Sequence, residues 1–388
     1  MLRRCAVASM LIVASWAHAA TGTYTGANTN AASGDPAPVG ATDRVFHPAG
    51  PREWRGAQTR ALITRVWYPV DSDAHVLPHD IGPPGRAAFR GHDLAQNASL
   101  STAHATYPLL VMSHGTTGSA DDLDWLASAL AAHGYIVAAV NHPGNNALEP
   151  LTREGFVLWW ERARDLSDVL DGVLADPTFG PHIDRARIGA AGYSLGGYTV
   201  LELAGARTNL PAFKAFCHSN AADTNCHPPG TTRQAVAATP LPADALASIE
   251  RAGASYRDSR VKAVLAIAPA IGKALDEPSL TRIDIPLRLI AGTADTTAPP
   301  PSNILHIARF LPHAQVDMID GATHVSFINS CLPAVMTKLA NICEEAPGVN
   351  RDEVHALAIE QAVTFFGASL TERNDALSQQ PVNPDMPK

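Results

Sequence analysis

Arg187-Ile-Gly-Ala-Ala-Gly-Tyr-Ser-Leu-Gly-Gly-Tyr198, followed by Thr-Val-Leu-Glu-Leu-Ala204, decides how the rest of the chain is read. Residues 188–191 form an apolar run of the length expected for a buried strand, and residues 199–204 open a helix. Between them, Gly192-Tyr193-Ser194-Leu195-Gly196 has the Gly-x-Ser-x-Gly spacing of a nucleophile elbow. The chemistry explains the spacing. A serine at the tip of a sharp strand-to-helix turn sits in strained backbone, and small residues two before and two after it let strand and helix pass closely. The serine also lies at a helix N-terminus, where free N–H groups stabilise an oxyanion.

Outward from the elbow, the chain alternates strand and helix. Residues 61–68 alternate as a strand ended by Pro69, and residues 70–106 have no pattern and read as a long irregular connection. The runs 107–115 and 135–140 read as buried parallel strands, with a helix between them whose N-cap is Ser119 and whose first turn holds Asp121 and Asp122. Residues 156–174 read as one long helix. Further strands follow at 261–267, 286–292 and 315–319, with helices at about 302–310 and 351–366. Strands and helices in this order imply an α/β fold, a mostly parallel sheet with helices on both faces.

The chain's 388 residues are 46% hydrophobic and 17% charged, enough for one large core with insertions. Its net charge is −8 and it has no basic run, which argues against a nucleic-acid partner. Met1-Leu-Arg-Arg4, the apolar run from Cys5 to Trp16 and Ala17-His-Ala19 have the three parts of a secretory signal peptide. The apolar run is shorter than the ~20 residues that a spanning helix needs, and no later segment reads as transmembrane. The expected organisation is a signal peptide over 1–19, a flexible leader over 20–60, and the α/β domain over 61–370. Residues 205–260 are expected to form an inserted cap, and residues 371–388 a disordered tail. The expected location is secreted or periplasmic.

Removing the signal peptide, which contains Cys5, leaves Cys217, Cys226, Cys331 and Cys343. An even count in an oxidising compartment favours two disulfides, and proximity suggests Cys217–Cys226 and Cys331–Cys343. Three connectivities are open to four cysteines. The competing zinc site lacks a CxxC or a short histidine pairing, so no metal is expected.

Ligands of open parallel sheets bind beyond the carboxyl ends of the strands. The elbow strand ends at Ser194, residues 287–291 lead to Asp295, and residues 315–319 lead to Asp320-Gly-Ala-Thr-His324. The order Ser…Asp…His is that of α/β-hydrolases. In this reading His324 takes the proton of Ser194, and Asp295 fixes the imidazole tautomer and stabilises its charged form. The oxyanion hole needs two N–H groups, expected from Leu195 and from Thr116 in the turn Ser113-His-Gly-Thr-Thr117. His114, His142, Tyr193 and Trp159 are candidates for the pocket, although His114 is more readily a framework residue, His142 equally a turn residue, and paired tryptophans on a helix more often core.

Four stretches carry a resemblance: Leu110-Val-Met-Ser-His-Gly-Thr-Thr-Gly118, Gly192-Tyr-Ser-Leu-Gly-Gly197, Ile290-Ala-Gly-Thr-Ala-Asp-Thr-Thr-Ala-Pro299 and Asp320-Gly-Ala-Thr-His324. Over about residues 60–370, without the cap, the chain resembles secreted α/β-hydrolases grouped with platelet-activating-factor acetylhydrolases and predicted dienelactone hydrolases. More distantly, it resembles cutinase-type polyester hydrolases. The resemblance implies a serine carboxylic-ester hydrolase that uses no cofactor.

The departures from those families shape the expected substrate. Dienelactone hydrolases carry a cysteine where Ser194 stands. Cutinase-type enzymes have an aromatic at the position of Thr116, a Trp where Ala268-Pro-Ala270 stands, and no cap of this size. The expectation is therefore a covered pocket for small or medium esters and an acyl-enzyme on Ser194. A lactonase or amidase, a polyester hydrolase and a non-catalytic exported binding protein are the alternatives.

Overall fold

The apolar runs lie side by side in a computed structural model, which describes residues 37–83, 85–226 and 240–371. In chain order the strands are β1 (Val39–Phe46), β2 (Leu62–Pro69), β3 (Asp80–Ile81), β4 (Phe89–Arg90), β5 (Ala95–Gln96) and β6 (Tyr107–Ser113). They continue as β7 (Ile136–Val140), β8 (Ile183–Tyr193), β9 (Val261–Ile267), β10 (Leu287–Gly292) and β11 (Gln315–Ile319). Nine of them form one sheet in the order β11-β10-β9-β8-β6-β7-β2-β1-β5. The strands β6 to β11 pair with one another in parallel, and β2 is antiparallel to both β7 and β1. The chain has the α/β-hydrolase fold.

The continuous apolar runs are explained by burial on both faces. Leu109 and Val111 of β6 face the helices Glu161–Ala175 and Leu195–Ala204, packing near Leu166, Leu170 and Leu201. Leu110 and Met112 face the helices Asp124–Ala132 and Arg351–Ser369, with Leu126, Leu130 and Phe366. Each fully buried side chain of this size contributes roughly 1.5–3 kcal/mol, so neither face tolerates a polar residue and the alternation vanishes.

Several sequence expectations need correcting. Val39–Phe46, expected in a flexible leader, is a sheet strand paired along its whole length with β2, from Val39 opposite Pro69 to Phe46 opposite Leu62. Its composition hides it. Val39-Gly-Ala-Thr-Asp-Arg-Val-Phe46 has a polar centre, and its apolar residues do not alternate. The expected helix over 156–174 is two helices, Arg153–Val157 and Glu161–Ala175. The break lets Trp160 turn inward, where its Nε1 donates to Ser248 Oγ at 3.0 Å. The connection over 70–106 contains β3, β4 and β5, and β5 joins the main sheet beside β1.

The segment expected as a cap carries the helices Leu210–Cys217 and Ala243–Glu250. Cys217 is bonded to Cys226, and Cys331 to Cys343. The expected signal peptide, the leader up to residue 36, part of the cap and the tail beyond residue 371 lie outside the described residues. Among the described residues no helix is long and apolar enough to cross a membrane.

Candidate active site

Strand β8 ends at Tyr193, and the helix Leu195–Ala204 begins one residue later. Ser194 occupies the turn with φ +57° and ψ −120°, left-handed backbone that a non-glycine residue adopts only under constraint. The flanking glycines are a packing requirement. A Cβ on Gly192 would stand 2.1 Å from the carbonyl oxygen of Gly196, and one on Gly196 would stand 1.9 Å from that of Ser113. Ser194 N–H donates to Ile267 O at 2.9 Å, which ties the turn to β9.

Three loops from three strand ends meet at this serine. Its Oγ lies 2.8 Å from His324 Nε2, and His324 Nδ1 lies 2.7 Å from Asp295 Oδ2. The other carboxylate oxygen of Asp295 accepts the N–H groups of Thr297 at 2.9 Å and Ala298 at 2.7 Å, so the carboxylate is fixed before it meets the imidazole. His324 opens a short helical turn capped by Thr323 and Ser326. Tyr193 OH donates to the carbonyl of His324 at 2.9 Å and holds the turn from below. All three members of the line are buried, with Ser194 and His324 each 7% exposed on one edge of a cavity.

That cavity has a volume of about 480 Å³. Thr116 and Leu195 line it beside Ser194, and among the described residues neither backbone N–H has an acceptor. The walls are mostly apolar, with Phe89, Ile271, Ile328 and Ile342. Asp122, read from sequence only as a helix-start residue, is the one carboxylate lining it among the described residues. Ser119 Oγ donates to Asp122 Oδ1 at 2.9 Å, and burial pushes the carboxyl up to about 6 against that bond. A larger cavity of about 800 Å³, bounded by Trp125, His133 and His355, touches none of these groups.

Of the four pocket candidates only Tyr193 lines the cavity. His114 and His142 are enclosed beneath it: His142 N–H donates to His114 Nε2 at 3.1 Å, and His114 Nδ1 donates to Gly115 O at 2.6 Å. Trp159 packs edge-on against Trp160 and Phe213 and does not line the cavity. All three belong to the framework, where the two imidazoles find hydrogen-bond partners and the indole finds aromatic ones. Sequence reasoning passed over Arg162 and Asp165, which lie in the same enclosed network and stand in the chain as ordinary charges on a helix.

Residues 88–153 match the family described as platelet-activating factor acetylhydrolase, isoform II, and residues 121–225 match the prolyl oligopeptidase family. Cutinase est1 of Thermobifida alba is 33% identical over 109 residues, which cover 28% of this chain and 33% of that one. The bis(hydroxyethyl) terephthalate hydrolase of Streptomyces coelicolor is 30% identical over 112 residues, 29% of this chain and 33% of that one. The match therefore spans about a third of the length of these curated relatives. A ferulic acid esterase from Streptomyces cinnamoneus superposes with a TM-score of 0.59 at 20% identity, covering 90% of this chain and 95% of that one. The chain is an α/β-hydrolase that resembles the platelet-activating factor acetylhydrolases and the cutinases.

Proposed function

We propose that the protein is an exported serine esterase that hydrolyses small or medium carboxylic esters through an acyl-enzyme on Ser194. The observation that carries this reading is the hydrogen-bonded line from Ser194 Oγ through His324 to Asp295, opening on a cavity with two free backbone donors.

The steps follow from the geometry. The substrate carbonyl lies against Ser194 with its oxygen toward the N–H groups of Thr116 and Leu195. Ser194 Oγ attacks the carbonyl carbon as its proton passes to His324 Nε2, and the two N–H groups take up the oxyanion. Asp295 holds the imidazole with Nδ1 protonated and stabilises the imidazolium. Collapse of the tetrahedral adduct breaks the carbon–oxygen bond to the alcohol, which leaves with the proton from His324. Water then enters and attacks the acyl carbon as its proton passes to His324, and collapse of the second adduct breaks the bond to Ser194 Oγ, which takes the proton back from His324 as the acid leaves.

Cavity size supports the substrate class. About 480 Å³ is at the lower end of small-molecule sites, and Thr224 and Asn225 of the inserted segment close one side of it. A long open groove for polymer chains is disfavoured by that wall. Partial likeness to cutinases nevertheless makes short aromatic diesters a useful part of any substrate panel.

The deciding experiment measures hydrolysis of p-nitrophenyl acetate and butyrate, together with labelling by a fluorophosphonate. Wild type is expected to turn over both esters and to take one label, and Ser194→Ala to do neither. Equal hydrolysis by Ser194→Ala would refute the reading.

A further inference from the structure

Beneath the turn that carries Thr116 lies a second set of a serine, a histidine and an aspartate. Ser113 Oγ is 2.8 Å from His142 Nε2, and His142 Nδ1 is 2.7 Å from Asp165 Oδ2. The residue types repeat those of Ser194, His324 and Asp295, but each side chain is wholly enclosed. Burial, with Arg162 beside it, lowers the His142 imidazole to about 3, so the ring stays neutral. Sealed from solvent and with its imidazole neutral, this set has no access to substrate and serves as an anchor.

Arg162 completes that anchor from the start of the helix Glu161–Ala175. Its Nη2 donates to the carbonyl of His114 and, at 3.4 Å, to Ser113 Oγ. Its Nη1 donates at 3.4 Å to Asn145 Oδ1, which also accepts the N–H of Thr117 at 2.9 Å. One guanidinium therefore holds the chain on both sides of Thr116. The hold opposes a strain, because Thr117 has φ +61°, a left-handed conformation that costs a β-branched residue free energy. The neighbouring cations Arg52 and Arg55 are paired with Asp165, whereas Arg162 forms no ion pair among the described residues. Burial and Arg55 lower it to about 9, which leaves it charged at neutral pH with its donors on the turn.

We propose that Arg162 is a positioning residue for the oxyanion hole, clamping residues 113–117 so that the Thr116 N–H stays directed at the reacting carbonyl oxygen. The proposal rests on the acyl-transfer reading and adds a residue to it. It differs from a general role in folding by what it predicts for turnover per functional site. A lost oxyanion donor costs on the order of 100-fold in kcat while leaving substrate binding nearly untouched.

The test uses Arg162→Met, Arg162→Lys, Asn145→Ala and the double variant Arg162→Met with Thr117→Gly in the full chain. Active sites are counted by stoichiometric phosphonate labelling, and kcat and KM are measured on p-nitrophenyl butyrate. Arg162→Met is expected to lose roughly 100-fold in kcat per counted site with KM within about two-fold. Arg162→Lys, a point charge unable to span both acceptors, is expected to fall nearly as far. Thr117→Gly in the Met background is expected to recover part of the loss, because glycine accepts the left-handed backbone without strain.

Unchanged kcat per site in Arg162→Met overturns the proposal, as does full activity in Arg162→Lys. If Arg162→Met does not accumulate as folded protein, Asn145→Ala decides: a roughly ten-fold fall in kcat supports the clamp and no fall overturns it. A wild type inert to esters and phosphonates overturns the esterase reading and this one together, whereas an active wild type with unaffected variants overturns only the clamp.

Discussion

Asp295 Oδ2 stands 2.7 Å from His324 Nδ1 while its Oδ1 is held by the N–H groups of Thr297 and Ala298. The two oxygens thus have separate tasks, one structural and one facing the imidazole. Asp295→Asn conserves the shape and an acceptor for the loop, but places either an amide donor or a neutral acceptor against Nδ1. We expect kcat/KM to fall by about 10⁴-fold with little change in thermal unfolding, by analogy with the same change in a serine protease triad. Kinetics on p-nitrophenyl butyrate and a melting curve check it, and retained activity would remove Asp295 from the mechanism.

The Cys217–Cys226 bridge closes a loop that docks on the Asp295 loop. Thr224 Oγ1 donates to the carbonyls of Thr296 at 2.8 Å and Thr297 at 2.9 Å, and Asn225 Oδ1 accepts the N–H of Ile271 at 2.9 Å. Thr224 and Asn225 also line the cavity. Replacing both cysteines by serine is expected to lower stability by roughly 2–3 kcal/mol, the entropy of a nine-residue closure, and to raise KM more than it lowers kcat. Urea unfolding and steady-state kinetics of the double variant give both numbers.

Much of this site is legible in the chain because its parts are local. Ser194, Asp295 and His324 each follow a strand end by a few residues, and strands buried on both faces announce themselves as apolar runs, as Tyr107–Ser113 and Ile136–Val140 do. What stays hidden depends on partners far away in sequence. Nothing local in Arg162 or Asp165 says that they meet Ser113, His114 and His142. Asp122 reads as a helix-start acid until the cavity is seen beside it. Strand β1 is unreadable because its pairing with β2 holds a polar sequence that has no pattern of its own. Trp159 and Trp160 diverge because the helix breaks between Val157 and Glu161, which no composition rule marks.

Glu202 sets a pH limit on stability. It is wholly buried in the elbow helix, accepts Tyr198 OH at 2.7 Å and Thr208 Oγ1 at 2.6 Å on one oxygen, and is pushed up by burial to about 8. The unfolded chain ionises this carboxyl near pH 4.5, whereas the folded protein keeps it protonated up to about 8. Its contribution is therefore complete below pH 4.5 and is lost as the pH rises toward 8, a loss on the order of a few kcal/mol. Glu202→Gln cannot ionise and should flatten that slope, becoming more stable than wild type at pH 8. Melting temperatures at pH 5 and pH 8 decide it; parallel slopes in the two proteins would count against the assignment.

Asp122 places a titratable charge inside the cavity that holds Ser194 and His324. Burial raises its carboxyl to about 6, so it is neutral in mild acid and negative above that. An ester bearing a second, ionised carboxylate meets repulsion only above pH 6, and at separations of 6–8 Å with an effective dielectric near 20–40 that repulsion is roughly 1–3 kcal/mol. Wild type should therefore disfavour a p-nitrophenyl hemisuccinate relative to the butyrate by about ten-fold or more at pH 8, and by less at pH 5.5. Asp122→Asn, which keeps an acceptor for Ser119, removes the charge and should bring the ratio of the two kcat/KM values close to its low-pH value across the whole range. A ratio that changes with pH equally in wild type and variant would assign the discrimination to another group.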